Sequence, residues 1–158
     1  MKKVTLNDYR SDKFYPRINR AVAAILDRGD IVTPIEVFQE MGLLEHGRVE
    51  DWRRGRIQYL EKVIRCNLSS AGRILRILRM HAHDLNLRPS VTAYRRWGKG
   101  PKVPLRFSKS GVATIEESYS RHFVRVRSKR VENLRAAAYE SEATFTPPLE
   151  PAARFDNK

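Results

Sequence analysis

The chain has 158 residues and is 41% hydrophobic, enough for one domain with a buried core. Its 31 Lys and Arg outnumber 18 Asp and Glu, a net charge of +13 that opposes compaction unless an acidic partner supplies counter-charge. Cys66 is the only cysteine, which excludes an internal disulfide and favours a reducing compartment, and no apolar run reaches the ~18 residues that span a bilayer.

These bounds make a soluble, cytoplasmic protein the expectation, with no membrane partner. The opening MKKVTLNDYR has two lysines but no apolar stretch behind them, so it does not read as a secretory signal.

The first helix is expected from Pro16 to Arg28. Proline suits a first turn, Ile18, Ala21, Val22 and Ile25 share a face, and Gly29 follows. Thr33-Pro34-Ile35-Glu36 has the spacing of a capping box and opens a short helix ending at Gly42. A long helix is expected from Val49 to Cys66, weakened by Gly55. After Asn67 a second long helix runs to about Asn86, with Leu68, Ala71, Leu75, Leu78, Ala82 and Leu85 as a heptad-like seam.

Pro89 closes the helical region. Ser90–Trp97 and Val103–Ser108 then alternate as strands around Gly98-Lys99-Gly100, a basic β-hairpin over about residues 90–108. Thr114 and Glu117 suggest another capping box. Residues 125–140 read as a basic arm and 141–158, with Pro147, Pro148 and Pro151, as a disordered tail. The expected fold is therefore mainly α (α+β): one domain over residues 1–140, with four to five helices and one hairpin.

The functional signal concentrates in that hairpin. No Asp or Glu occurs from Leu85 to Ile115, whereas Arg95, Arg96, Lys99, Lys102, Arg106 and Lys109 all do. Arginines suit bidentate contact with phosphate, and a two-stranded ribbon fits a major groove. Tyr94, Trp97 and Phe107 are expected mainly to anchor the hairpin, because an isolated hairpin is marginal in water. Arg73, Arg76 and Arg79 form a second basic stripe opposite the leucine seam.

Other motifs are weaker. The segment from Pro34 to Arg56 hints at helix-turn-helix, but its turn is longer than the usual ~3–4 residues. His81, His83 and Asp84 tempt a metal or nuclease reading, yet positions 81 and 83 sit about 200° apart around a helix. No Walker, GxSxG, HExxH or paired-cysteine motif occurs. The expectation is a non-catalytic module with no metal and no cofactor. It binds nucleic acid, DNA before RNA, or a nucleoprotein, through the six hairpin cations with Arg73, Arg76 and Arg79 in support. The alternative is an assembly factor that meets an acidic protein, or a copy of itself, through the Leu68–Leu85 seam. A metal-dependent nuclease ranks third.

Overall fold

The computed structural model describes residues 3–127. In chain order they form α1 (Tyr15–Arg28), β1 (Ile31–Val32), α2 (Pro34–Glu40), α3 (His46–Arg53), α4 (Leu68–Asp84), β2 (Leu87–Val91), α5 (Ala113–Ser120) and β3 (Arg121–Arg125). The described part is mainly α with a small antiparallel sheet of order β1-β3-β2.

Local chemistry accounts for most helix boundaries. α1 carries a proline in its first turn and buries Ile18, Ala21, Val22 and Ile25. Thr33 caps α2, its Oγ1 accepting from the Glu36 amide at 3.1 Å. Asn67 does the same for α4, where Oδ1 accepts from the Ser70 amide at 2.7 Å. α4 ends in a left-handed residue, Asn86, with φ of 58°, a conformation asparagine tolerates after a helix. From there the chain turns into β2.

The leucine seam of α4 faces inward. Ala71, Ile74, Leu75, Ile77, Leu78 and Ala82 are all buried, while Leu68 and Leu85 at its ends are 57% and 44% exposed. The seam therefore joins α4 to its own core, and it is not available as a continuous surface for another chain.

The long helix expected from Val49 to Cys66 does not form. α3 stops at Arg53, Gly55 takes a φ of +78°, and only a 3-10 turn at Leu60–Val63 follows. Leu60 and Ile64 are buried nonetheless, so their spacing records burial in an irregular segment. Leu60 and Glu61 donate their amides to the carbonyls of Arg106 and Phe107 at 3.2 and 2.9 Å. Gly55 cannot readily be replaced. A Cβ there lies 2.7 Å from Cδ of Arg96, and left-handed backbone costs other residues roughly 1–2 kcal/mol. Gly55→Ala is expected to destabilise the protein by at least about 1 kcal/mol in urea unfolding.

The hairpin expected over residues 90–108 is much reduced. β2 pairs with β3 instead, in a register running from Leu87↔Arg125 to Val91↔Arg121. What remains is a short ribbon: Arg96 donates to the Val103 carbonyl and Leu105 to that of Tyr94, both at 2.9 Å, with a bridge at Arg95–Pro104. Proline at 104 removes a donor, and the carbonyls of 106 and 107 already serve Leu60 and Glu61. The second strand is thus diverted before it can lengthen.

β3 is the central strand, and Arg125, expected to open a basic arm, ends it with its side chain on Asp30. The rest of that arm from residue 128, and the tail 141–158, lie outside the described residues. Thr92 donates to the Ser120 carbonyl at 3.0 Å, so residues 92–120 leave and rejoin the sheet at one place. α5, inside that excursion, lacks the expected Thr114 cap; Val112 precedes the helix without a side-chain cap.

Candidate nucleic-acid interface

The ribbon stands on an aromatic base. Tyr94 and Phe107 are buried, with ring centroids 5.1 Å apart, and Phe107 packs against Trp52 at 5.0 Å and Tyr119 at 5.6 Å. The Trp52 indole donates to the Arg106 carbonyl at 2.8 Å, tying α3 to the ribbon. Burial pushes the Tyr94 hydroxyl up to about 12 and raises that of Tyr119 as well, so both stay protonated. Tyr94 and Phe107 are therefore anchors.

Trp97 differs from them. It sits at the turn, 47% exposed, and its amide donates to the Arg53 carbonyl at 2.7 Å. The Arg53 guanidinium lies 4.9 Å from the Trp97 ring centroid and 4.5 Å from that of Tyr94, a cation–π arrangement. Burial lowers the Arg53 pKa. Arg53 was not among the residues expected from sequence, because its partners lie more than forty positions away and no local spacing records them.

Three of the six ribbon cations are held by backbone oxygens. Arg95 donates to the Lys102 carbonyl at 3.2 Å and Lys102 to that of Gly98 at 3.1 Å. Arg106 donates through Nε to Ser108 at 2.8 Å and through Nη2 to the Lys109 carbonyl. Arg96 is half-buried across Gly55, and Lys99 is exposed at the tip. Among the described residues none of Arg95, Arg96, Lys99, Lys102, Arg106 and Lys109 pairs with a carboxylate. Elsewhere Arg10, Arg28, Arg56, Arg65, Arg73, Arg121 and Arg125 each do. Carbonyl bonds orient a guanidinium or an ammonium without neutralising it, so the ribbon keeps its charge.

Two carboxylates clamp the segment that follows. Glu116 accepts from the amides of Phe107 and Ser108 at 2.9 and 2.8 Å and from the Ser108 hydroxyl at 2.7 Å. Glu61 accepts from the Lys109 amide at 2.9 Å and the Tyr119 hydroxyl at 3.0 Å. The acids that compensate this stretch thus come from outside it and bind backbone amides and the Ser108 hydroxyl, leaving its cationic side chains alone.

The nine expected site residues do not converge on one spot. Arg73, Arg76 and Arg79 line a groove between α4 and α5, and of the six ribbon cations only Lys109 joins them there. Arg73 is paired with Asp12. Lys3 and Arg121, not expected from sequence, line the same groove.

No protein-family model, curated protein or solved structure matches the chain. Function must be argued from its own geometry.

The helix-turn-helix idea fits poorly. The connection from Met41 to Glu45 exceeds the motif's ~3–4 residues, and α3 exposes Glu50 beside Arg48 while Asp51 pairs with Arg56. A local His81–Asp84 pair does not form either: Asp84 accepts from Tyr9 and Arg10. Among the described residues no three His, Cys, Asp or Glu side chains gather as for a metal ion. Nor is any described helix long and apolar enough to cross a membrane. Burial raises the Cys66 thiol, which keeps it from becoming a reactive thiolate.

His81 is a core residue instead. It is buried, stacks edge-on against Tyr15 at 5.4 Å, and its Nε2 has no hydrogen-bond partner among the described residues. Burial depresses its pKa, with Arg10 adding to the effect and Asp84 opposing it. His122, bonded to Thr92 and Tyr94, is depressed first by burial and then by Arg53. A histidine depressed in the folded state takes up its proton more readily when unfolded. Its stabilising contribution is complete above the unfolded pKa of ~6.5 and is lost as pH falls below it. Urea midpoints should therefore fall between pH 7 and pH 5, and His81→Leu should flatten that slope.

Proposed function

We propose that this chain is a non-catalytic binding module for nucleic acid, which it engages through the ribbon from Tyr94 to Lys109. One observation carries the proposal: six cations in an acid-free stretch are, among the described residues, not neutralised by any carboxylate, and three of them, Arg95, Lys102 and Arg106, are oriented by backbone carbonyls. Phosphate contacts supply most non-specific affinity for nucleic acid, and a polyanion meets such a surface without first breaking ion pairs.

Strandedness follows from the tip. A duplex preference draws on a long ribbon and a helix-turn-helix, and neither is present among the described residues. An exposed tryptophan braced by Arg53 suits an unpaired base, whose stacking contributes about 1–3 kcal/mol. Single-stranded RNA or DNA is therefore the favoured ligand.

The test is a titration of a fluorescein-labelled single-stranded 15-mer, in RNA and DNA forms, against rising salt. The log–log slope should be about −0.7 per neutralised phosphate, with quenching of Trp97 emission. Binding that ignores salt, or no binding at low salt, overturns the proposal.

A further inference from the structure

The groove between α4 and α5, about 1040 Å³ in volume, differs in kind from the ribbon. Its floor is largely aliphatic: Leu75 and Leu78 from α4 face Ile115 from α5, with Leu68 at one end, and the two aromatic residues that also line it, Tyr119 and Phe123, are buried and offer no open face. Leu68 and Ile115 are exposed, at 57% and 38%, although the α4 face beneath them is packed. Its rim is cationic. Arg76, Arg79, Lys109 and Lys3 line it, together with Arg121, which Glu117 partly neutralises. Glu61 is the one acid among the lining residues, and both its oxygens are engaged by Lys109 and Tyr119.

We propose that this groove docks an acidic amphipathic helix from a partner protein, independently of nucleic acid. Two features select that occupant. A phosphodiester backbone has nothing to place against leucine and isoleucine, and bases stack on aromatic faces rather than aliphatic ones. A helix with apolar residues at i, i+3, i+4 and i+7 fills such a floor, and acidic residues flanking that stripe meet Arg76, Arg79 and Lys109. The partner surface is thus this trough, bounded by two helices, which meets only the Leu68, Leu75 and Leu78 edge of the leucine seam and not its whole length. A protein with both surfaces joins an acidic protein to a nucleic acid, with Lys109 at their junction.

The probe is a fluorescein-labelled 18-residue peptide with leucines at i, i+3, i+4 and i+7 and glutamates elsewhere, measured against the full chain. A scrambled peptide of the same composition controls for charge alone. The expected result is binding of the patterned peptide at least 10-fold tighter than the scrambled one. A Leu68→Asp, Ile115→Asp variant should lose at least 10-fold, and an Arg76→Glu, Arg79→Glu variant should lose a similar factor. Both positions of the first variant are exposed, and unchanged circular dichroism and an unchanged affinity for the 15-mer show that it folds. Equal binding of patterned and scrambled peptides, or no binding, overturns the proposal. So does displacement of the patterned peptide by the 15-mer in the wild-type chain, because the groove is then a nucleic-acid channel. As a second readout, a photo-crosslinker at position 115 in cells should yield adducts with acidic, leucine-patterned peptides. Adducts with nucleic acid, or within copies of this same chain, count against it.

Discussion

An Arg95→Ala, Lys99→Ala, Lys102→Ala variant should bind the single-stranded 15-mer about 100-fold more weakly than the native chain at ~0.1 M salt. Each phosphate contact contributes a slope of about 0.7, which at that salt amounts to roughly a factor of 5 per contact. Three lost contacts multiply to about 100, and the salt slope should fall by about 2. All three side chains are exposed, and the partners of Arg95 and Lys102 are the carbonyls of residues 102 and 98 in the same turn. The fold should therefore survive, with urea midpoints and circular dichroism unchanged. A matched variant that removes Lys13, Arg20 and Arg48, exposed cations outside the acid-free stretch, should lose less than 5-fold. Equal losses in the two variants would mean that net charge acts and the ribbon does not.

Glu116→Ala should be the most damaging single substitution at the site, costing about 2–5 kcal/mol in urea unfolding. The carboxylate accepts from two amides and one hydroxyl. Phe107 and Ser108, which donate them, are buried at 3% and 1% exposure. A buried donor left without a partner costs about 1–3 kcal/mol. Glu116→Gln should recover part of the loss, since its one carbonyl oxygen still serves a donor while its amide nitrogen faces another. Both variants should also weaken oligonucleotide binding, because Lys109 follows the clamped pair. Glu61→Ala frees the Lys109 amide from the other side. The double variant should be less destabilised than the two single losses added together, as expected for two groups acting on one loop.

Where a boundary is written in local chemistry, sequence and structure mostly agree, the uncapped start of α5 excepted. Thr33-Pro34 announces α2, and α1 falls within one residue of its expected start. The apolar spacing on α4 predicts both its helicity and its buried face. Disagreement arises where distant chain segments compete for the same backbone groups. Ile57, Leu60, Val63 and Ile64 keep a helical spacing, yet Gly55 and the carbonyls of 106 and 107 draw that segment into an irregular path with a single 3-10 turn. Ser90 and Val91 have strand character, but their partner is residues 121–122 and not residues 103–108. Glu116 reads as an ordinary first-turn acid, and only the folded chain shows the amides it holds. The cations of the ribbon were legible because their sign is unbroken. Arg53 behind Trp97 and the groove under Arg76 were not, since each is assembled from elements far apart in the chain.

Residues 92–120 begin and end side by side, joined by the Val91↔Arg121 pair and the bond from Thr92 to Ser120. A segment closed in this way can change length at its exposed turn without dissolving β2 and β3, while Tyr94, Phe107 and Tyr119 keep the rest of it in the core. Changes in its length carry only a small entropic penalty, since the cost of closure grows with the logarithm of the number of residues between the two ends. The helical body and the exposed turn over residues 97–102 are therefore under separate physical constraints. The body can hold its packing steady while the number of residues in the exposed turn changes.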